Sequence, residues 1–163
     1  MSQTSKALIV AMALWASAGL QAQGVVTQKN LSLGLAKTIA EAALAECRDK
    51  GFHTSVAVVD RAGQVLVELR DEQAAPHTLE MARRKAYTAQ AFKMTTADFE
   101  KRTRPDQLYA GQRNLTDMLA LSGGVPILAG TEAIGGVASS GAGLDQDDAC
   151  AKAGVAKVAA LLK

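Results

Sequence analysis

Aromatic side chains are scarce in this chain: three Phe, two Tyr and one Trp among 163 residues. That excludes a core built from rings and leaves Ala, Val, Leu and Ile to fill the interior. It also argues against a nucleic-acid partner, because no run of Lys and Arg is interleaved with stacking aromatics and the formal charge is only +2. The apolar run Ala7–Leu14 falls well short of the roughly 20 residues that span a bilayer. Catalytic signatures are missing as well. There is no Gly-x-Ser-x-Gly elbow, no His-Glu-x-x-His, no phosphate loop and no dinucleotide fingerprint. The two cysteines, Cys47 and Cys150, lack zinc-site spacing and have no histidine beside them.

What is present begins at the N-terminus. Lys6 provides a positive start, Ala7–Leu14 an apolar stretch, and Ala16 to Ala22 a run mostly of small residues. That order predicts a secretory signal peptide over residues 1–22, followed by a single domain over residues 23–163. The alternative is an N-terminal anchor helix. Export to the periplasm or beyond leaves no membrane insertion after cleavage. In an oxidising compartment Cys47 and Cys150 are either one disulfide, closing a long loop, or two buried thiols.

Hydrophobic spacing then gives the elements. Ser32 can cap a helix from Leu33 to Asp49, with Leu35, Ile39, Ala42 and Ala43 recurring at helical intervals. Residues 54–60 and 65–70 are β-rich and flank Arg61-Ala-Gly-Gln64, which predicts a hairpin. Pro76 breaks the following loop, and Thr78 is the expected cap of a helix carrying Leu79, Ala82, Ala86, Ala89 and Phe92. A short helix follows Thr95 or Thr96, and an irregular turn reaches Tyr109. Residues 117–121 are read as a short strand, the segment around Val125–Ile127 and residues 132–139 as two more, and Gln146–Leu162 as a last helix behind an acidic cap, Asp145 to Asp148. The order predicts an α+β fold, an antiparallel sheet of about five strands flanked by helices. If the first and last helices pack antiparallel, Cys47 meets Cys150.

Several segments together resemble the GlcG/HbpS-like heme-binding family. They are Val56-Ala-Val-Val-Asp60 with Gly63, Arg70-Asp71, Ala82-Arg-Arg-Lys-Ala-Tyr-Thr-Ala89 with Phe92, Gly123-Gly-Val-Pro-Ile127, Ala133-Ile-Gly-Gly-Val137 with Gly141, and Asp147-Asp148 with Ala151. They run in order along the whole mature chain. Ala138-Ser-Ser-Gly141 departs from the family's more frequent Gly-Val-Ser-Gly. The resemblance implies a profilin-like α/β fold, homo-oligomers and, for some members, binding of heme or another tetrapyrrole. Fold membership alone does not assign function, so the site is argued from residues.

Heme iron accepts His, Cys, Met or Tyr as axial ligand. His77 follows Pro76 where a helix start offers free N–H groups to a propionate, so it is the leading iron ligand; the alternative is a solvent-facing residue at a helix start. Arg83, Arg84 and Lys85 supply positive charge one or two turns on, Tyr109 is a pocket candidate, and Gly123-Gly124 lets a ligand approach the backbone or simply makes a tight turn. His53 opens the first strand and reads as an edge residue. Tyr87 and Met81 are further donors, each more easily read as packing. Carboxylates Glu68, Asp71, Glu72 and Glu80 surround His77 in sequence and could join it at a hard metal, or form a solvated face. The expected function is a secreted heme or small-ligand binder for carriage, buffering or sensing. The rivals are an enzyme of heme degradation or small-carboxylate metabolism and a non-catalytic accessory of a sensor or transporter.

Overall fold

Four antiparallel strands, β1 (Ser55–Asp60), β2 (Val65–Arg70), β3 (Gly124–Ala129) and β4 (Glu132–Ser140), form the only sheet among the described residues, in the order β2-β1-β4-β3. The computed structural model describes residues 24–163, so the expected signal peptide lies outside them. In chain order the elements are α1 (Leu33–Asp49), β1 (Ser55–Asp60), β2 (Val65–Arg70), α2 (His77–Phe92), α3 (Thr96–Arg102), β3 (Gly124–Ala129), β4 (Glu132–Ser140) and α4 (Leu144–Lys157). No helix among the described residues is long and apolar enough to cross a membrane.

The caps explain where the helices begin. Ser32 Oγ accepts from the Leu35 amide at α1, and Thr95 Oγ1 from the Asp98 amide at α3, which satisfies backbone donors that have no helical partner. Thr78 does not cap α2. The helix starts one residue earlier, at His77, behind Pro76, whose φ of −61° is already helical. The Thr78 hydroxyl donates to Ala75 O and accepts from Ser55 Oγ at 2.8 Å, pinning the first turn of α2 to the start of β1. The acidic cluster 145–148 does not cap α4 either; Gly143 does, with no side-chain bond, and Asp147 turns inward.

Strand alternation sorts the core into two layers. Val56, Val58, Ile127 and Val137 face α1 and α4, meeting Ala36, Ile39, Ala40, Ala43 and Ala151. Ala57, Val59 and Ala138 face Ala82 and Ala86 of α2. The small stripe of α2 lets the helix come down on the sheet until a Cβ at Gly136 would strike Ala86 O.

Residues 117–121 are not a strand, so the sheet has four strands rather than about five. Their polar groups are claimed from α2. Arg83 bonds Asp117 Oδ1, Arg84 bonds Met118 O, Thr88 Oγ1 accepts from the Leu119 amide, and Asp117 takes a φ of +65°. At the β3 edge, Thr96 Oγ1 accepts from the Gly124 amide, and Pro126 has no amide proton to offer. Cys47 and Cys150 are joined as a disulfide with Cα atoms 5.6 Å apart, which settles the choice between a bridge and two thiols.

Candidate functional site

One end of the molecule gathers the chemistry. There α1 ends, β1 begins, β2 ends and α2 begins, and the Ser55–Thr78 contact holds the last of these against the sheet. Both histidines sit there, His53 two residues before β1 and His77 at the first position of α2.

Their surroundings differ. His77 is exposed, and its ring makes no hydrogen bond among the described residues. His53 Nδ1 lies 3.0 Å from Asp71 Oδ1, and Asp71 is bound on every side: Oδ1 also accepts from the Gln73 amide at 2.9 Å, and Oδ2 from Arg48 Nε at 2.5 Å. Arg48 extends the cluster to Glu72 Oε2 at 2.9 Å. The Gln73 amide first, and then the Arg48 guanidinium, hold the Asp71 carboxyl below its ordinary range; Asp71 in turn raises Arg48. The Asp71 side chain is 3% exposed and that of His53 44%, so a buried carboxylate holds a partly exposed ring.

The remaining candidates fall into separate groups. Lys85 is fully buried: its Nζ donates to Asp147 Oδ2 at 3.0 Å and to Ser139 O at 3.2 Å. Burial pushes the ammonium below its ordinary value, against the pull of Asp147. Its charge therefore ties α2 to α4 inside the protein instead of facing a ligand. Gly123 and Gly124 belong to this junction. A Cβ on Gly123, at φ +120°, would lie 2.7 Å from Ser139 O and 3.0 Å from Lys85 Nζ, and one on Gly124 would lie 2.6 Å from Lys85 O. Arg83 and Arg84 are half-buried and engaged with residues 117 and 118. Tyr109 lies under the Arg102 guanidinium, 4.0 Å from the ring centroid, in a loop whose Leu108 is 90% exposed. No cluster of three or more metal-ligating side chains occurs among the described residues, which separates Glu68, Asp71, Glu72 and Glu80 from His77 as a joint site.

The opposite end holds two open pockets. One, of about 270 Å³, is lined by Arg61, Gly63, Tyr87, Gln90 and Lys93. Another, of about 420 Å³, shares Arg61 and Ala62 with it. Tyr87 is the one heme-donor side chain of the first, and its ring is stacked where a Cβ on Gly63 would be. No hydrogen bond orients the Tyr87 hydroxyl among the described residues, so the imidazole end has the better-prepared donor. The sequence missed the importance of Asp71 for His53 because 18 residues separate them. The available signal was the hairpin itself, whose register sets Arg70 opposite Ser55 and so carries Asp71 to the level of Thr54.

Residues 31–156 match the family model described as haem degrading protein HbpS-like. A double mutant of HbpS from Streptomyces reticuli is 34% identical, with a TM-score of 0.78, covering 86% of this chain and 96% of that one. A PduOC:heme complex is 25% identical at a TM-score of 0.75, over 79% of this chain and 95% of that one. An uncharacterised protein from the dhaT–dhaS intergenic region of Citrobacter freundii is 29% identical over 72% of this chain and 84% of its own length.

Proposed function

The chain belongs to the HbpS-like family, and on that premise we propose that it binds heme at its histidine end. The observation that carries the reading is a partly exposed histidine, His53, backed by the buried Asp71 carboxylate at this end of the sheet. It is supported by the heme-bound state of a protein with the same fold. The donor chemistry fits: imidazole is a common protein ligand of heme iron, and exposed Pro76 with half-buried Phe52 offers apolar surface to a macrocycle. Arg48 and Lys50, both about half exposed at the same end, are paired with Asp71 and Glu72 and with Glu46, so a propionate would bind there by displacing Glu72 or Glu46.

The role in this reading is extracytoplasmic carriage, buffering or sensing by a homo-oligomer. The Cys47–Cys150 bridge supports export, since such bonds persist in oxidising compartments. Titrating the protein with hemin and following absorbance tests the reading. A saturable Soret shift at about one heme per chain is expected; its absence overturns heme binding. The family's description as heme-degrading favours a second reading, in which bound heme is consumed. Under a reductant and oxygen, a stable Soret band supports carriage, and its loss with release of iron supports turnover.

A further inference from the structure

We propose that His53, and not His77, is the axial ligand to heme iron, with Asp71 as the residue that positions it; this rests on the heme-binding reading above. The argument is one of proton accounting. Asp71 Oδ1 already accepts from the Gln73 amide and Oδ2 from Arg48 Nε. A carboxylate engaged in this way has only lone pairs to offer, so in the contact with His53 the Nδ1–H is the donor. A neutral imidazole protonated at Nδ1 carries its lone pair on Nε2. That nitrogen has no hydrogen-bond partner among the described residues, on a ring 44% exposed, while the carboxylate bound to Nδ1 is 3% exposed. A buried carboxylate behind an accessible imidazole is the arrangement that fixes tautomer and ring orientation in metal-ligating histidines and raises their basicity.

The scaffold holds this pair from both sides. Gly51, at φ +79°, turns the chain out of α1, and the Phe52 amide is tied back to Cys47 O. The Asp71 amide donates to Thr54 O, which extends the β1–β2 ladder by one step and sets the carboxylate beside His53. Arg48, on the last turn of α1, closes the other side. His77 has no such support: it is exposed, and no hydrogen bond or ion pair to its ring is found among the described residues.

The test is hemin titration of the wild type and of His53→Ala, His77→Ala, Tyr87→Phe and Asp71→Asn, each checked for native circular dichroism. In His53→Ala, affinity is expected to fall at least about tenfold and the histidine-ligated spectrum to disappear; added imidazole restores that spectrum in the variant. His77→Ala and Tyr87→Phe are expected to keep the wild-type spectrum. Asp71→Asn is expected to keep heme, with affinity reduced about 10–100-fold and the iron midpoint potential raised, because the anionic partner that favours ferric iron is gone. Should Asp71→Asn not fold, His53→Gln and imidazole rescue still decide the ligand. An unchanged spectrum in His53→Ala, or its loss in His77→Ala or Tyr87→Phe, overturns this assignment and leaves heme binding intact. A wild type that binds no heme overturns both.

Discussion

Lys85 shows how a single side chain can be read correctly as charged and still be assigned the wrong surroundings. In sequence it continues a basic cluster with Arg83 and Arg84; in the fold it points the other way, between sheet and helix, onto Asp147. Helical geometry accounts for the difference, since Lys85 shares its face with Ala82, Ala86 and Ala89, whereas Arg83 and Arg84 lie to either side. A buried pair is costly to break and cheap to replace as a unit. Lys85→Ala or Asp147→Ala alone is expected to lower unfolding free energy by about 3–5 kcal/mol. The double variant is expected to lose clearly less than the sum, and a denaturant-unfolding cycle over the four proteins measures the coupling. Additive losses would show that the two charges act independently.

At the scale of elements, most of the fold was legible. The period of α1, the hairpin around Gly63 and the two late strands are local patterns, and local patterns are what sequence carries. The start of α2 was displaced because the Thr78 hydroxyl met a partner, Ser55, from a distant strand. The segment 117–121 was mistaken for a strand because its backbone groups are claimed by arginines and a threonine more than thirty residues away. The site was legible to the same degree: both histidines were visible, but the carboxylate that distinguishes them becomes a neighbour only when the hairpin closes. The approach of α2 to β4 is tight enough to test by itself. Gly136→Ala would drive a methyl into Ala86 O and to 3.2 Å from the Gln90 amide, so it is expected to cost about 1–3 kcal/mol. Gly111→Ala, with nothing within 4 Å, is expected to stay within about 0.5 kcal/mol in the same chemical denaturation series. Equal costs would mean that α2 has room to shift.

For the molecule as a whole, the Cys47–Cys150 bridge joins α1 to α4 across a sequence separation of 103 residues. A link that spans most of the described chain restricts the unfolded ensemble far more than the native one. Reduction, or Cys47→Ala with Cys150→Ala, is expected to cost about 2–5 kcal/mol, read as a lower melting temperature in dithiothreitol than without it. No difference would place the stability elsewhere, in the two apolar layers alone.

The two rims of the sheet are also unequal. Along β3 the outward amide of Gly124 is occupied by Thr96, and Pro126 contributes none, whereas β2 borders the sheet with its outer backbone groups unclaimed by another strand. In the vocabulary of polymer chemistry the sheet is monofunctional. Two copies joined through β2 would leave only β3 rims outward, where Gly124 and Pro126 withhold two of the amides a further strand would need.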